Sequence, residues 1–241
     1  MLAGGIIFLG FAISGATLQF EKLNAMYPAI VCDAGSTGSR VFSFYLSANG
    51  NPTNSYDVKI KNLGKTPVGL SWYAENGMFR NASDSLAPLL AHGLKMLGPE
   101  TPIYILATGG VRSLTNSLMN ELWHVLNLEL KSALSNLHKG LLHLQTLDGT
   151  DEAFFGLLAS NYILGQMSLA DLEKPMKDPV GILDLGGSSL EVSSAGDDQI
   201  IGTHDDILIS FKSLGLERLR SLIFEEPFCE FGTVCRLYVS A

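Results

Sequence analysis

Two segments of the chain repeat one unusual design, and this repeat limits the folds that the chain can adopt. Each contains an apolar strand, an Asp, any residue, a Gly, two or three hydroxyl residues and a second apolar strand. The first is AIVCDAGSTGSRVFSF, around Asp33, and the second is VGILDLGGSSLEVSS, around Asp184. The two aspartates are separated by about 150 residues, which is the size of one small domain. The repeat therefore predicts two related domains that present their loops across a cleft.

The rest of the pattern alternates predicted strands with predicted helices. Apolar residues at helical spacing predict helices over 85–97, 114–137 and 151–167. Short apolar runs predict strands within 28–47, 55–64, 102–110 and 180–195. Such alternation is typical of an α/β protein. We predict a signal peptide or signal anchor over 1–20, a first domain over 28–147 and the N-terminal part of a second domain over 148–241.

The small residues of the first loop suit the binding of a phosphate group. Glycines let backbone N–H groups approach an anion closely, and hydroxyl groups add hydrogen-bond donors. We expect Arg40 to neutralise charge, and we expect hydroxyl contacts from Ser36, Thr37 and Ser39. The alternative is a polar hairpin tip that is closed by a local Asx turn.

Asp33 and Asp184 are the candidate metal-positioning residues. The repeat directs both side chains into one cleft, and carboxylates beside phosphates usually hold Mg²⁺ or Ca²⁺, often through water. Hydrolysis also requires a group that orients and deprotonates a water molecule. Asp151 and Glu152, at the start of a predicted helix, are the candidates. The alternative is that acidic residues stand there only because they favour helix N-termini.

The charge of the chain argues against one class of partner. Acidic residues number 24 and basic residues 16, for a net charge of −8, and the sequence has no cluster of Lys and Arg. Nucleic-acid binding through phosphate neutralisation is therefore not expected. An acidic protein that handles an anionic substrate must offset its own field locally, through backbone N–H groups, a few cations or a metal ion.

The N-terminal segment and the cysteines suggest the secretory pathway. MLAGGIIFLGFAISGATLQF has no charge, and its apolar part is shorter than the ~20 residues of a spanning helix. Small residues at 14–16 suit signal cleavage, so we predict a secretory signal, with an uncleaved membrane anchor as the alternative. Cys229 and Cys235 are close enough in sequence to pair in an oxidising lumen, whereas Cys32 lies in an apolar strand. Asn81 begins an N-glycosylation sequon.

Several stretches resemble, in order, the conserved regions of the nucleoside triphosphate diphosphohydrolases, the apyrase and Golgi nucleoside-diphosphatase family. The first four regions are similar to DAGSTGSR, LATGGVRSL, GTDEAFFGLLASNYILG and LDLGGSSLEV. TPVGLSWY is similar to the Lys-x-x-Pro-Gly-Leu-Ser-Ser-Tyr stretch of the family. Together the matches extend over most of residues 28–241.

The resemblance implies an actin/hexokinase-like (ribonuclease H-like) fold with two domains, the second incomplete, and a nucleotide whose phosphates lie in the cleft. It implies Ca²⁺- or Mg²⁺-dependent release of terminal phosphate from nucleoside di- and triphosphates. By position, Glu152 is similar to the catalytic base, and Asp33 and Asp184 to the aspartates that position the hydrated metal. The other residues that the resemblance assigns to the site are Thr108, Arg112, Glu191, the first phosphate loop at Ser36, Thr37, Gly38 and Ser39, and the second at Gly186, Gly187, Ser188 and Ser189.

The chain also departs from the family pattern. Glu191 stands where the family has a Gln that helps to orient the water, and a second carboxylate near Glu152 would raise a pKa or attract metal. Leu157 replaces a Trp. The fifth region of the family, which includes nucleobase-binding residues, is not recognisable, so the chain resembles a C-terminally truncated member.

Two other functions remain open at this point. Exopolyphosphatase/guanosine-pentaphosphate phosphohydrolases have a Glu at the end of their Asp-x-Gly-Gly-Gly-Ser-Thr-Glu segment, and DLGGSSLE is similar to it. An inactive, truncated isoform that binds nucleotide without turnover is the other alternative. Cleavage of polyphosphate would distinguish the first of these, and binding without hydrolysis the second.

Overall fold

The structure is a computed structural model, and it describes residues 27–48, 56–167, 173–212, 214–216 and 219–220. The predicted signal segment at 1–20 and the predicted Cys229–Cys235 pair lie outside the described residues. The first strands are β1 (Tyr27–Gly35), β2 (Gly38–Ala48) and β3 (Tyr56–Lys65). They are followed by β4 (Ile103–Ala107) and β5 (Leu142–Thr146). These five strands form one sheet.

The strand order of this first sheet is β3-β2-β1-β4-β5. β1 pairs antiparallel with β2 and parallel with β4, and β4 pairs parallel with β5. The central strands are buried on both faces, as parallel strands usually are, because helices pack on the two sides of the sheet. Ile30, Ile103 and Ile105 are fully buried in the main core, and Val31 and Leu106 face a second, smaller core.

Four helices accompany this sheet: α1 (Leu70–Glu75), α2 (Phe79–Leu97), α3 (Gly109–Arg112) and α4 (Asn116–Ala133). α2 buries Leu86, Leu90 and Leu94, and α4 buries Leu122, Leu126 and Leu130, all at intervals of four residues. That spacing forms one apolar stripe on each helix, which packs into the main core.

The second sheet is smaller and follows α5 (Gly149–Ile163). It consists of β6 (Ile182–Leu185), β7 (Leu190–Ser194) and β8 (Ile207–Phe211), in the order β6-β7-β8 with antiparallel pairing. Phe155 of α5 packs into the second core of the first sheet, while Gly149 at the start of α5 lies against Ser210 of β8. α5 therefore connects the two sheets.

The predicted α/β class is confirmed, and several boundaries differ from the sequence expectation. α2 begins six residues before the predicted start at residue 85, and α5 ends at Ile163 rather than at residue 167. β5 and β8 were not predicted from periodicity. The division of the chain at 147/148 stays a prediction.

Single residues outside the site agree with their expected surroundings. Cys32 is fully buried, and burial raises the pKa of its thiol, as expected of an inert structural cysteine. Asn81 is exposed near the start of α2, and its glycosylation stays a prediction. Within the described part of the chain, no helix combines the length and apolar character that a membrane span requires.

Candidate active site

The first loop, Asp33–Arg40 (loop 1), is tighter than its composition predicts. β1 and β2 stay paired through Gly35 and Gly38, so only Ser36 and Thr37 form the turn. Gly38 has φ +148°, and a Cβ there would lie 2.9 Å from the carbonyl oxygen of Thr66. A side chain at 38 would therefore be both strained and obstructed, which explains the requirement for glycine.

The predicted phosphate-binding hydroxyls of loop 1 differ in accessibility. Thr37 is exposed at the tip and Ser36 is half-buried beside it. Ser39 is fully buried, and its backbone N–H donates to Oγ1 of Thr66 at 2.8 Å. Ser36 and Thr37 are thus presented at the surface of the loop, whereas Ser39 helps to hold β2 against the segment after β3.

Asp33 lies at the base of loop 1 with two cations nearby. Its carboxylate oxygen is 3.8 Å from Nη1 of Arg40, its neighbour across the hairpin. Lys65 pairs with Arg40 in the β2–β3 register and packs over Gly38, and its charge also acts on Asp33. Like charges opposite each other destabilise a sheet. The Arg40–Lys65 pair therefore indicates a position at which an anion would be favourable.

The Gly109–Gly110 dipeptide brings loop 1 and the second loop, Asp184–Glu191 (loop 2), together. A Cβ at Gly110 would lie 2.8 Å from Cα of Ser36, and one at Gly109 would lie 3.0 Å from Oγ of Ser189. Both loops therefore contact the same turn at the end of β4. That the two loops lie across a cleft between two domains stays a prediction.

Loop 2 repeats the construction of loop 1 in the second sheet. Asp184 of β6 pairs with Glu191 of β7, as Asp33 pairs with Arg40 in loop 1. The backbone N–H of Gly186 donates to the carbonyl of Ser189 at 2.9 Å and closes the turn. Gly187 and Ser188 occupy the turn and are half-buried.

Arg112, at the end of α3, connects the two halves of the site. Its Nη1 atom donates to Oε2 of Glu152 at 2.6 Å, and its Nη2 atom donates to Oε1 of Glu191 at 3.1 Å. Nη2 also donates to Oγ of Ser189 at 3.0 Å. The side chains of Arg112, Glu152 and Glu191 are each 10% exposed or less. Thr108, the N-cap of α3, is buried, and its backbone N–H donates to the carbonyl of Ala34.

Buried carboxylates dominate the electrostatics of the site. Burial, together with the charge of Glu191, raises the pKa of Glu152 to about 8 against the opposing effect of Arg112. Burial also raises the pKa of Asp33 to about 6, against the lowering effect of Arg40 and with a contribution from Asp184. The pKa of Asp184 is raised by burial and by Glu191. Asp184 thus contributes to the raised pKa values of both Asp33 and Glu152, which indicates that carboxylates from the two halves of the chain lie near one another.

The donor set is compatible with a cation held through water. Within the described ranges, no three His, Cys, Asp or Glu side chains are grouped closely enough to bind a metal ion directly. The charge of Asp184 nevertheless raises the pKa of Asp33, so a divalent cation between the two carboxylates would offset their repulsion. Two carboxylates with water as the other ligands suit Mg²⁺ or Ca²⁺.

Two residues of the site were not identified from the sequence. Ser210 of β8 donates to Oε1 of Glu191 at 3.0 Å, so it shares that oxygen with Arg112. The short run ILISF, which is mostly apolar and contains two β-branched residues, was the available signal for that strand. Lys65 is the other residue, and it stands in the segment GKTPVGLS next to the stretch that resembles the family.

The fold defines the class of protein. A nucleoside triphosphate hydrolase from Neospora caninum superposes with a TM-score of 0.58 at 17% identity, over 91% of this chain and 50% of that one. A Ppx/GppA family member from Aquifex aeolicus superposes with a TM-score of 0.50 at 14% identity, over 84% of this chain and 56% of that one. The protein is therefore an α/β protein of the actin/hexokinase-like class, as predicted.

Sequence comparison then identifies the family. Residues 19–232 match the GDA1/CD39 (nucleoside phosphatase) family, and the chain belongs to it. Human ectonucleoside triphosphate diphosphohydrolase 7 is 31% identical over 198 residues, which cover 72% of this chain and 32% of the relative. Apyrase from Solanum tuberosum is 32% identical over 209 residues, which cover 79% of this chain and 44% of the relative. The chain thus spans between about a third and a half of the length of these relatives.

Proposed function

We propose that the protein hydrolyses the terminal phosphate of nucleoside di- or triphosphates with the help of a divalent cation. The observation that carries the proposal is a set of contacts: Arg112 joins Glu152 to Ser189 of loop 2, and the Gly109–Gly110 turn contacts both loops. Its membership of the nucleoside phosphatase family supports the reaction class, and the names of its relatives, which include a nucleoside-triphosphatase from Pisum sativum, support the substrate class. The prefix "ecto" in other relatives supports a secretory destination.

Glu152 is the general base of the proposed reaction. The raised pKa of about 8 makes the ionised Glu152 a stronger base than an ordinary glutamate, and the ionised fraction increases as the pH rises towards 8. It takes one proton from a water molecule while the water oxygen forms a bond to the terminal phosphorus. The bond from phosphorus to the bridging oxygen breaks, and the nucleotide leaves with one phosphate fewer.

The two loops hold the phosphates in this proposal. Ser36, Thr37 and Ser188 supply hydroxyl groups, and the glycines of both loops leave backbone N–H groups accessible. Arg40 and Lys65 offset the negative charge of the substrate in a protein whose net charge is −8. Asp33 and Asp184 would hold Ca²⁺ or Mg²⁺ through water, and the ion would neutralise charge on the phosphate oxygens.

Phosphate release by the purified full chain tests the proposal. GDP, UDP, ADP, ATP and polyphosphate are each supplied with Mg²⁺, with Ca²⁺ or with EDTA, and Glu152→Gln is compared with wild type. Nucleotide turnover that EDTA and Glu152→Gln abolish is the expected result. Turnover of polyphosphate alone would replace the proposal with an exopolyphosphatase activity. Folded protein that binds nucleotide but releases no phosphate would contradict hydrolysis and leave a binding function.

A further inference from the structure

Arg112 is bound from several parts of the chain at once. Besides the two carboxylates and Ser189, its Nη1 atom donates to the carbonyl oxygen of Leu147 at 3.2 Å. The guanidinium is planar and has donors in fixed directions, so this set of acceptors leaves it one orientation. Its contact with Glu152 joins it to the proposed general base, and the inference that follows rests on that proposed role.

Glu191 is the partner that distinguishes this chain from the pattern that it resembles, which has Gln at the position. Its side chain is 2% exposed, and Oε1 accepts from both Arg112 and Ser210. Its other oxygen, Oε2, is buried with no hydrogen-bond partner among the described residues. A buried carboxylate costs free energy unless a cation compensates it, and Arg112 is the cation that contacts it.

We propose that Glu191 is a positioning residue that acts on the reaction through Arg112. Glu191 anchors Nη2, and the rigid guanidinium then keeps Nη1 on Oε2 of Glu152. Two carboxylates share one positive charge, so Arg112 orients the base without neutralising it completely. The contacts from Glu191 to Arg112 and from Arg112 to Glu152 thus set the orientation of the Glu152 carboxylate relative to loop 2.

A glutamine at 191 would change this arrangement without changing its size. The amide is neutral, so Arg112 would face one negative charge instead of two and would pair with Glu152 alone. We expect Glu191→Gln to decrease kcat about tenfold when both proteins are compared at about pH 9, where Glu152 is ionised in each. The reason is that a base that is fully neutralised and less firmly oriented accepts a proton less well. The KM should stay within about twofold, because the Glu191 carboxylate is engaged by Arg112 and Ser210 and is not among the groups proposed to bind phosphate.

A double-mutant cycle on the full chain tests the proposal. The effect of Glu191→Gln on kcat is measured in the wild-type protein and in Arg112→Lys. Lysine keeps the positive charge but lacks the planar guanidinium whose two Nη atoms contact both carboxylates. The tenfold effect on kcat should shrink to less than about twofold in the Lys background. Ser210→Ala removes the other donor to Oε1, and we expect it to decrease kcat less than Glu191→Gln does. Glu129→Gln and Arg80→Lys, at an exposed ion pair of 3.0 Å, are matched controls that should leave kcat unchanged.

The outcomes separate this proposal from the proposed function. An unchanged kcat in Glu191→Gln would overturn it, and so would a tenfold loss that is equally large in both backgrounds. Thermal unfolding of the same four proteins provides a readout that does not need activity. Non-additive melting temperatures support the coupling, and additive ones overturn it. A wild-type chain without any turnover counts against hydrolysis, while the melting cycle still tests the Glu191–Arg112 contact.

Discussion

Asn161 forms a two-way hydrogen bond with the backbone of Val180. Its Nδ2 donates to the carbonyl of Val180 at 3.0 Å, and its Oδ1 accepts from the Val180 N–H at 2.8 Å. Asn161 is fully buried in α5, and Val180 lies just before β6. The amide therefore attaches the second sheet to the helix that carries Glu152.

The Asn161 amide should be important for stability. Asn161→Leu keeps the approximate volume but removes the side-chain partner of the half-buried N–H and C=O of Val180. We expect the free energy of unfolding to decrease by about 1–3 kcal/mol. Urea denaturation measures this change. The control is Asn76→Ala, whose exposed amide donates to the carbonyl of Trp72 and whose loss should cost less than about 0.5 kcal/mol. Equal effects of the two substitutions would contradict the role of Asn161.

Gly110 should be required for activity because it packs directly against the backbone of loop 1 at Ser36. In Gly110→Ala the new methyl group would press on Cα of Ser36, which is backbone and cannot rotate away. A shift of loop 1 by up to about 1 Å should decrease phosphate release about a hundredfold. Gly156→Ala is the matched control, because a Cβ in that helix would have no neighbour within 4 Å. It should keep activity and raise the free energy of unfolding by about 0.5–1 kcal/mol. Full activity in Gly110→Ala would show that the loop tolerates the shift.

The stability of the metal-free protein should decrease as the pH rises. The pKa of Glu152 is raised from 4.5 to about 8, so the folded protein binds more protons than the unfolded chain between these values. The free energy of unfolding therefore falls across that range, and Asp33 adds a decrease with the same sign between 3.8 and about 6. Unfolding in EDTA at pH 5 to 8.5 measures it. Glu152→Gln should flatten the curve above about pH 7, where the Asp33 contribution is nearly complete. Asp151→Asn, at the exposed neighbouring position, should not flatten it.

Lys65 should contribute to nucleotide binding rather than to chemistry. Lys65→Met removes the cation next to loop 1 and keeps most of the side chain that packs over Gly38. We expect KM to rise about three- to fivefold with kcat nearly unchanged, since a partly exposed charge interacts modestly with its partner. Lys59→Met, on the same strand and exposed, should leave KM unchanged. A fall in kcat at constant KM would instead connect Lys65 to the transition state.

Local patterns were sufficient for the predictions that concern single elements. The repeated Asp-x-Gly design indicated both loops, and the helical spacing around residues 114–137 indicated α4, because apolar periodicity reflects burial within one element. β5 escaped prediction although LHLQT alternates apolar and polar residues, because a run of five residues is a weak signal. In the structure all five residues are only partly buried. The turn of loop 1 is shorter than expected because β1–β2 pairing continues to Gly35 and Gly38.

The sequence by itself determined the α/β class, the family and the types of residue that the site contains, because these depend on periodicity and on motifs of a few residues. The tertiary structure alone decided which of those residues meet. Arg112 contacts Glu152 from 40 positions away and Glu191 from 79 positions away. No local pattern specifies such contacts, since they depend on how α5 and the second sheet pack against the first. The same packing removes the carboxylates from water, and it is this burial that raises the pKa of the proposed base.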